Sequence, residues 1–135
     1  MLTENAIVQS LSSYLTKRNY RISKTCTTEQ KGIDIIAEKE NEILYIEAKG
    51  ATSSKKTSAR YGKPFSTSQI TNHVSRAVLT SLIHLQAKPG GQSTKIAIAL
   101  PDCETHRHLL SKISNPLKKL GIKVYWVSAN TITVQ

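Results

Sequence analysis

Asp34, Glu47 and Lys49 stand close together in the stretch GIDIIAEKENEILYIEAKG, residues 32–50, and their types could share one chemistry. Two short hydrophobic runs each carry a carboxylate where a core residue is expected. A two-residue turn at Glu40 and Asn41 would place Asp34 directly opposite Glu47 in a hairpin. A loop widened symmetrically to residues 39–42 keeps that register, whereas a bulge would send the two acids to opposite faces. Alternation then gives one apolar face, Ile33, Ile35 and Ala37 with Leu44, Ile46 and Ala48. The other face carries Asp34, Ile36 and Glu38 with Ile43, Tyr45, Glu47 and Lys49. Facing carboxylates repel, more strongly among apolar neighbours, so a positive partner is expected between them. Two carboxylates with backbone carbonyls and water offer the all-oxygen shell that Mg²⁺ takes, with Mn²⁺ as a substitute. With Lys49 on the same face, such a site could activate water beside a phosphate. The plainer alternative is a solvated sheet face on which Lys49 bridges both acids.

Other residues can extend such a site. Glu4 precedes Ile7, Val8 and Leu11 at helical spacing, which places it at the head of a buried stripe, although the first turn of a helix also favours an acid for its dipole. Gln69, His73 and Arg76 share a polar stripe on a second helix. Lys55, Lys56, Arg60 and Lys63 follow Lys49 in a polar segment, with Tyr61 and Phe65 interleaved. They could track phosphates or stack on bases, or form a merely solvated loop. Cys103, His106 and His108 suggest zinc, but on a helix the two histidines point in nearly opposite directions and no second ligand cluster accompanies them. Tyr125 and Trp126 read as core and sheet-face residues.

The elements that must position these residues follow from periodicity. Thr3 caps a helix expected to run to about Arg18, and YRISKTCT, residues 20–27, reads as an edge strand. Strands over 32–38 and 43–50 come next. The segment 51–66 lacks periodicity and reads as a mobile loop. A second helix over about 66–86 buries Ile70, Val74, Ala77, Val78, Leu82 and Leu85, and KPGG, residues 88–91, stops it. Residues 94–101 read as a strand covered on both faces. A third helix from Glu104 is interrupted at Asn115-Pro116, where Asn caps a short helix closed by Gly121. KVYWVSA and TITV are the last strands. The expected fold class is α/β, one mixed sheet with helices on both faces, in a single domain over residues 1–135.

The net charge of +10 makes a polyanion the expected partner, DNA first. Residues 1–47 carry six Lys or Arg against seven acids, whereas residues 48–135 carry thirteen against only Asp102 and Glu104. The acids thus gather beside a basic remainder. No apolar run approaches the ~20 residues of a membrane-spanning helix. Two cysteines without a paired motif, and an N-terminus unlike a signal peptide, point to a cytoplasmic protein with no membrane partner.

An Asp in a GID context, a hairpin and then EAK resembles the PD-(D/E)XK nuclease superfamily, the fold of many restriction endonucleases and of archaeal Holliday-junction resolvases. The resemblance covers roughly residues 3–100, extending to 128, and implies a restriction-endonuclease-like αβββαβ core. It implies that Asp34 and Glu47 ligate Mg²⁺ or Mn²⁺, that the carbonyl of Ala48 completes the protein shell, and that Lys49 orients or deprotonates water. It would make Glu4 a fourth member of the metal site, as in resolvase-like relatives. Gln69 matches a glutamine of some nuclease branches, but His73 stands where those branches have tyrosine. Ile33 replaces the proline of the family's name, which many members also lack. The implied activity is metal-dependent endonucleolytic cleavage of DNA, with selectivity from DNA structure or from a partner protein. Homodimerisation would let two sites cut two strands. The alternatives are a non-catalytic nucleic-acid-binding accessory factor in DNA mobility or repair, and a basic scaffold for an acidic protein.

Overall fold

The computed structural model describes residues 1–26, 32–88 and 93–135. Helix α1 spans Glu4–Thr16, shorter than expected, and is capped by Thr3, whose hydroxyl accepts the Ala6 N–H. Strands β1 (Arg21–Thr25), β2 (Ile35–Lys39) and β3 (Glu42–Ala48) follow, then α2 (Thr67–Ala87) and β4 (Ser93–Pro101). The chain continues through α3 (Glu104–Ser111), α4 (Ser114–Lys119), β5 (Lys123–Val127) and β6 (Ile132–Val134).

The strands form one six-stranded sheet in the order β1-β2-β3-β4-β5-β6. The β3-β4 and β4-β5 pairs are parallel and the other three antiparallel, so the sheet is mixed. Parallel neighbours need crossovers, which α2 and the α3/α4 pair supply. Ile7, Val8, Leu11 and Leu15 of α1 pack on Ile35, Ala37, Leu44, Ile46 and Ala48 and on the same face of β4 and β5. Ile70, Val74 and Ala77 of α2, with Leu110 and Leu117, cover Ile96, Ile98, Leu100 and Trp126 on the other. Helices therefore lie on both faces, and β4 is buried from Ile96 to Pro101, as its continuous apolar run requires.

Several expectations are corrected in detail. Asp34 stands one residue before β2 rather than within it. The end of the expected edge strand at Thr27 and the expected stop at Pro89, Gly90 and Gly91 lie outside the described residues. The buried line of α2 runs Ile70, Val74, Ala77, Ser81, which rotates Leu82 towards solvent. Asn115 does not cap α4. Ile113 is the N-cap, without a side-chain cap bond, because Ile113 and Leu117 are drawn into the core; Pro116 fits the first turn, where its missing N–H costs nothing. Gly121, at φ +73°, closes that helix as expected.

Candidate active site

The hairpin has the register that puts the acids together. Ile35 pairs with Ile46, Ile36 with Tyr45, and Lys39 with Glu42, around a turn in which Glu40 takes a left-handed φ of 53°. Continued by one residue, that register sets Asp34 against Glu47. Two backbone bonds fix Asp34 there: its carbonyl accepts the Cys26 N–H at 2.9 Å, and its Oδ2 accepts the Ala48 N–H at 2.8 Å. The backbone of Ala48 thus serves the acids first as a donor, through its N–H, whereas the expectation concerned its carbonyl.

Both residues are only 7% exposed, and their carboxyls act on each other across the hairpin. Burial holds Asp34 above the usual carboxylate range, against the Ala48 N–H, the Glu47 carboxyl and Lys49. Burial and then the Asp34 charge push Glu47 up to about 8. Burial and the like charge across the hairpin both act against ionising the two carboxyls together.

Lys49 and Glu4 complete the cluster through a close backbone approach. A Cβ on Gly50 would stand 2.4 Å from the Glu4 nitrogen and 2.7 Å from the Thr3 carbonyl carbon, so only glycine lets α1 begin there. The Ala51 N–H donates to the Leu2 carbonyl at 2.8 Å, and Thr3 bridges to Thr52. This strap brings Glu4 Oε2 to 3.9 Å from Lys49 Nζ, both largely buried. Burial raises the Glu4 pKa, Lys49 opposes that, and Asp34 adds to it, which places all three charges in one field.

A cleft of about 200 Å³ opens beside these groups, lined by Glu4, Lys49, Ser53, Phe65, His73 and Arg76 among others. The His73 ring meets Phe65 edge-on at 4.5 Å, and its pKa is lowered by burial, then by Lys49 and Arg76. Segment 51–66 is not featureless: the Phe65 N–H returns to the Ala51 carbonyl at 3.0 Å, and Thr52 Oγ1 donates to the Arg60 carbonyl at 2.7 Å. Lys55, Lys56, Arg60 and Lys63 are all exposed on that loop, which leaves and returns next to the cleft. Gln69 is employed differently from the expectation. Its Oε1 accepts the Ser66 N–H at 2.8 Å while Ser66 Oγ accepts the Gln69 N–H, a capping box that starts α2.

No protein-family model and no curated protein sequence matches this chain.

Among the described residues, no three His, Cys, Asp or Glu side chains are gathered closely enough to hold a metal ion as they stand. Asp34 and Glu47 are nevertheless two desolvated oxygen donors at the carboxyl end of β3, the donor type that hard divalent cations take.

His84 was missing from the sequence-based set. Its Nδ1 lies 3.9 Å from Glu47 Oε1 and its ring packs edge-on against Tyr45, with centroids 6.0 Å apart. Helical spacing places His84 on α2, but only the path of α2 along β3 brings it to Glu47. Of the residues considered for zinc, Cys103 Sγ contacts Nδ1 of the fully buried His106 at 3.0 Å, while His108 is exposed. Burial, with His73 nearby, lowers the His106 pKa to about 4.

Proposed function

We propose that this protein is a divalent-cation-dependent endonuclease acting on DNA, built on a restriction-endonuclease-like αβββαβ core. The observation that carries the reading is the pair of buried acids set opposite each other by the hairpin register, with Lys49, two residues beyond Glu47, lining a cleft together with Glu4, His73 and Arg76. The order α1, β1 to β3, α2, β4 agrees with such a core, and the net charge of +10 agrees with a polyanionic substrate.

Mg²⁺ or Mn²⁺ bound at the acids would polarise a phosphodiester and lower the pKa of water. Asp34 and Glu47 would hold it, with the Ala48 N–H fixing the Asp34 rotamer. Lys49, steadied by Glu4, would orient the attacking water, whose proton would pass to solvent. The water oxygen would bond to phosphorus as the opposite P–O bond breaks, its oxygen leaving and taking a proton from solvent. His73 and Arg76 would face the phosphate chain across the cleft, and the loop cations Lys55, Lys56, Arg60 and Lys63 would extend that track. Selectivity would come from DNA structure or from a partner protein, and a homodimer would cut both strands.

The test is incubation with branched, single-stranded and plasmid DNA, with and without Mg²⁺ or Mn²⁺, for the natural chain, Asp34→Ala and Lys49→Ala. The expected outcome is cation-dependent cleavage that Lys49→Ala lowers by about 10²- to 10⁴-fold and Asp34→Ala abolishes, with binding retained. Salt-sensitive binding without cleavage on every substrate would favour the accessory-factor reading. No salt-sensitive binding at all would reject both.

A further inference from the structure

We propose that the apolar cavity enclosed by α3, α4 and β5 binds a small amphipathic anion, a molecule with a hydrocarbon body and one carboxylate. The inference is independent of the acid pair, since the cavity shares no lining residue with the cleft beside Lys49.

The cavity follows from the way the chain returns to the sheet. Helices α3 and α4 are short, eight and six residues, and a turn at Gly121 sends the chain from α4 into β5. Leu110, Leu117 and Ile122 pack in one core cluster with Val124 and Trp126 of β5. Ser114 is small, and a Cβ on Gly121 would meet nothing within 4 Å, so the space beside them stays open. It measures about 350 Å³. Small-molecule sites begin at about 300 Å³, and at about 30 Å³ per water this space holds a molecule of roughly ten heavy atoms.

Wall and rim differ in chemistry. Leucine, isoleucine and valine side chains and the Trp126 ring make the wall, where water finds few partners and a hydrocarbon chain gains by displacing it. The indole is fixed beforehand: its N–H donates to Gln135 Oε1 at 2.7 Å, and the Arg107 guanidinium lies 4.3 Å from its ring centroid. A wall already in place costs little ordering when a ligand enters. At the rim stand Lys118, in the last turn of α4, and Lys123, the first residue of β5. Both are exposed; among the described residues neither forms an ion pair, and no Asp or Glu lines the cavity. Two free cations beside an apolar hollow are complementary to an apolar body with an anionic end, and a cationic ligand would be repelled.

Trp126 is the only tryptophan of the chain, so its fluorescence reports on the cavity wall. The test titrates the full chain with octanoate, hexanoate and octanol, read by that fluorescence and by calorimetry. It compares the natural chain with the double variant Lys118→Gln/Lys123→Gln and with Ser114→Phe, which fills the cavity from an exposed position. Saturable octanoate binding is expected in the natural chain. Hexanoate, two methylenes shorter, should bind about 15-fold more weakly, since each methylene is worth about fourfold. The double variant should weaken octanoate binding by about threefold to tenfold and leave octanol within about twofold. Ser114→Phe should lose both while keeping its thermal unfolding midpoint. The proposal is overturned by an absence of saturable octanoate binding, by octanoate and octanol responding alike to the lysine changes, or by unchanged octanoate binding in folded Ser114→Phe.

Discussion

At the scale of single residues, the burial of Glu47 beside Asp34 gives the fold a pH dependence. Glu47 in the folded chain holds its proton up to about 8, whereas a free glutamate releases it near 4.5. The folded state therefore binds more protons than the unfolded state between those values, and stability present below about 4.5 is lost as pH rises through about 8. Asp34, also raised by burial, adds to the same slope. His106, whose pKa is lowered to about 4 from the ordinary 6.5, works in the opposite sense at lower pH: its contribution is lost as pH falls through about 4. The acid contribution is best isolated above 6.5. Thermal unfolding in chelator should show the natural chain losing stability between about pH 6.5 and 8.5, and Glu47→Gln, a neutral copy of the protonated acid, losing clearly less. A flat profile for the natural chain would mean that the acids are already compensated. The candidate acids were legible in the sequence because charge within an apolar strand is conspicuous. His84 was not, because one histidine among many polar helical residues carries no mark until the helix is laid on the sheet.

At the scale of elements, the site is made where three segments meet at the carboxyl end of β3. The hairpin register was readable because period-two alternation and a two-residue turn leave little freedom. The meeting of Glu4 with Lys49 was not readable, since it depends on a contact between residues far apart in the chain. Gly50 makes that contact possible, and it is the most economical place to break it. In Gly50→Ala the new methyl would meet the backbone of Thr3 and Glu4, which cannot give way as a flexible side chain could. The variant should lose about 1–3 kcal/mol of stability in denaturant unfolding, and it should lower cleavage beyond what its folded fraction explains, because α1 carries Glu4 away. Unchanged stability would show that α1 does not rest on this glycine. Gln69 also has a local role that its position in a polar stripe did not announce: a serine three residues earlier engages its side chain in the capping box that starts α2.

At the scale of the whole molecule, fold class, sheet composition and the two helix-covered faces followed from element order, because parallel pairs demand crossovers and a fully apolar strand demands cover on both sides. No helix among the described residues is long and apolar enough to cross a membrane. Charge is separated within the molecule: buried acids at the carboxyl end of β3, and an exposed basic loop that returns beside the cleft lined by Lys49. Replacing Lys55, Lys56, Arg60 and Lys63 together by alanine should weaken DNA binding in Ca²⁺ buffer and flatten its dependence on log salt by up to about 3 to 4 units. Equal slopes for the two proteins would remove the loop from the interface. The most direct measurement of the central claim is the number of protons released when Mn²⁺ binds, obtained by calorimetry at pH 7 in buffers of different ionisation enthalpy. If the cation takes the place of the proton that Glu47 holds, about one proton should leave per ion at pH 7, far fewer at pH 9, and none in Asp34→Ala. Binding without proton release at pH 7, or no binding at all, would contradict it.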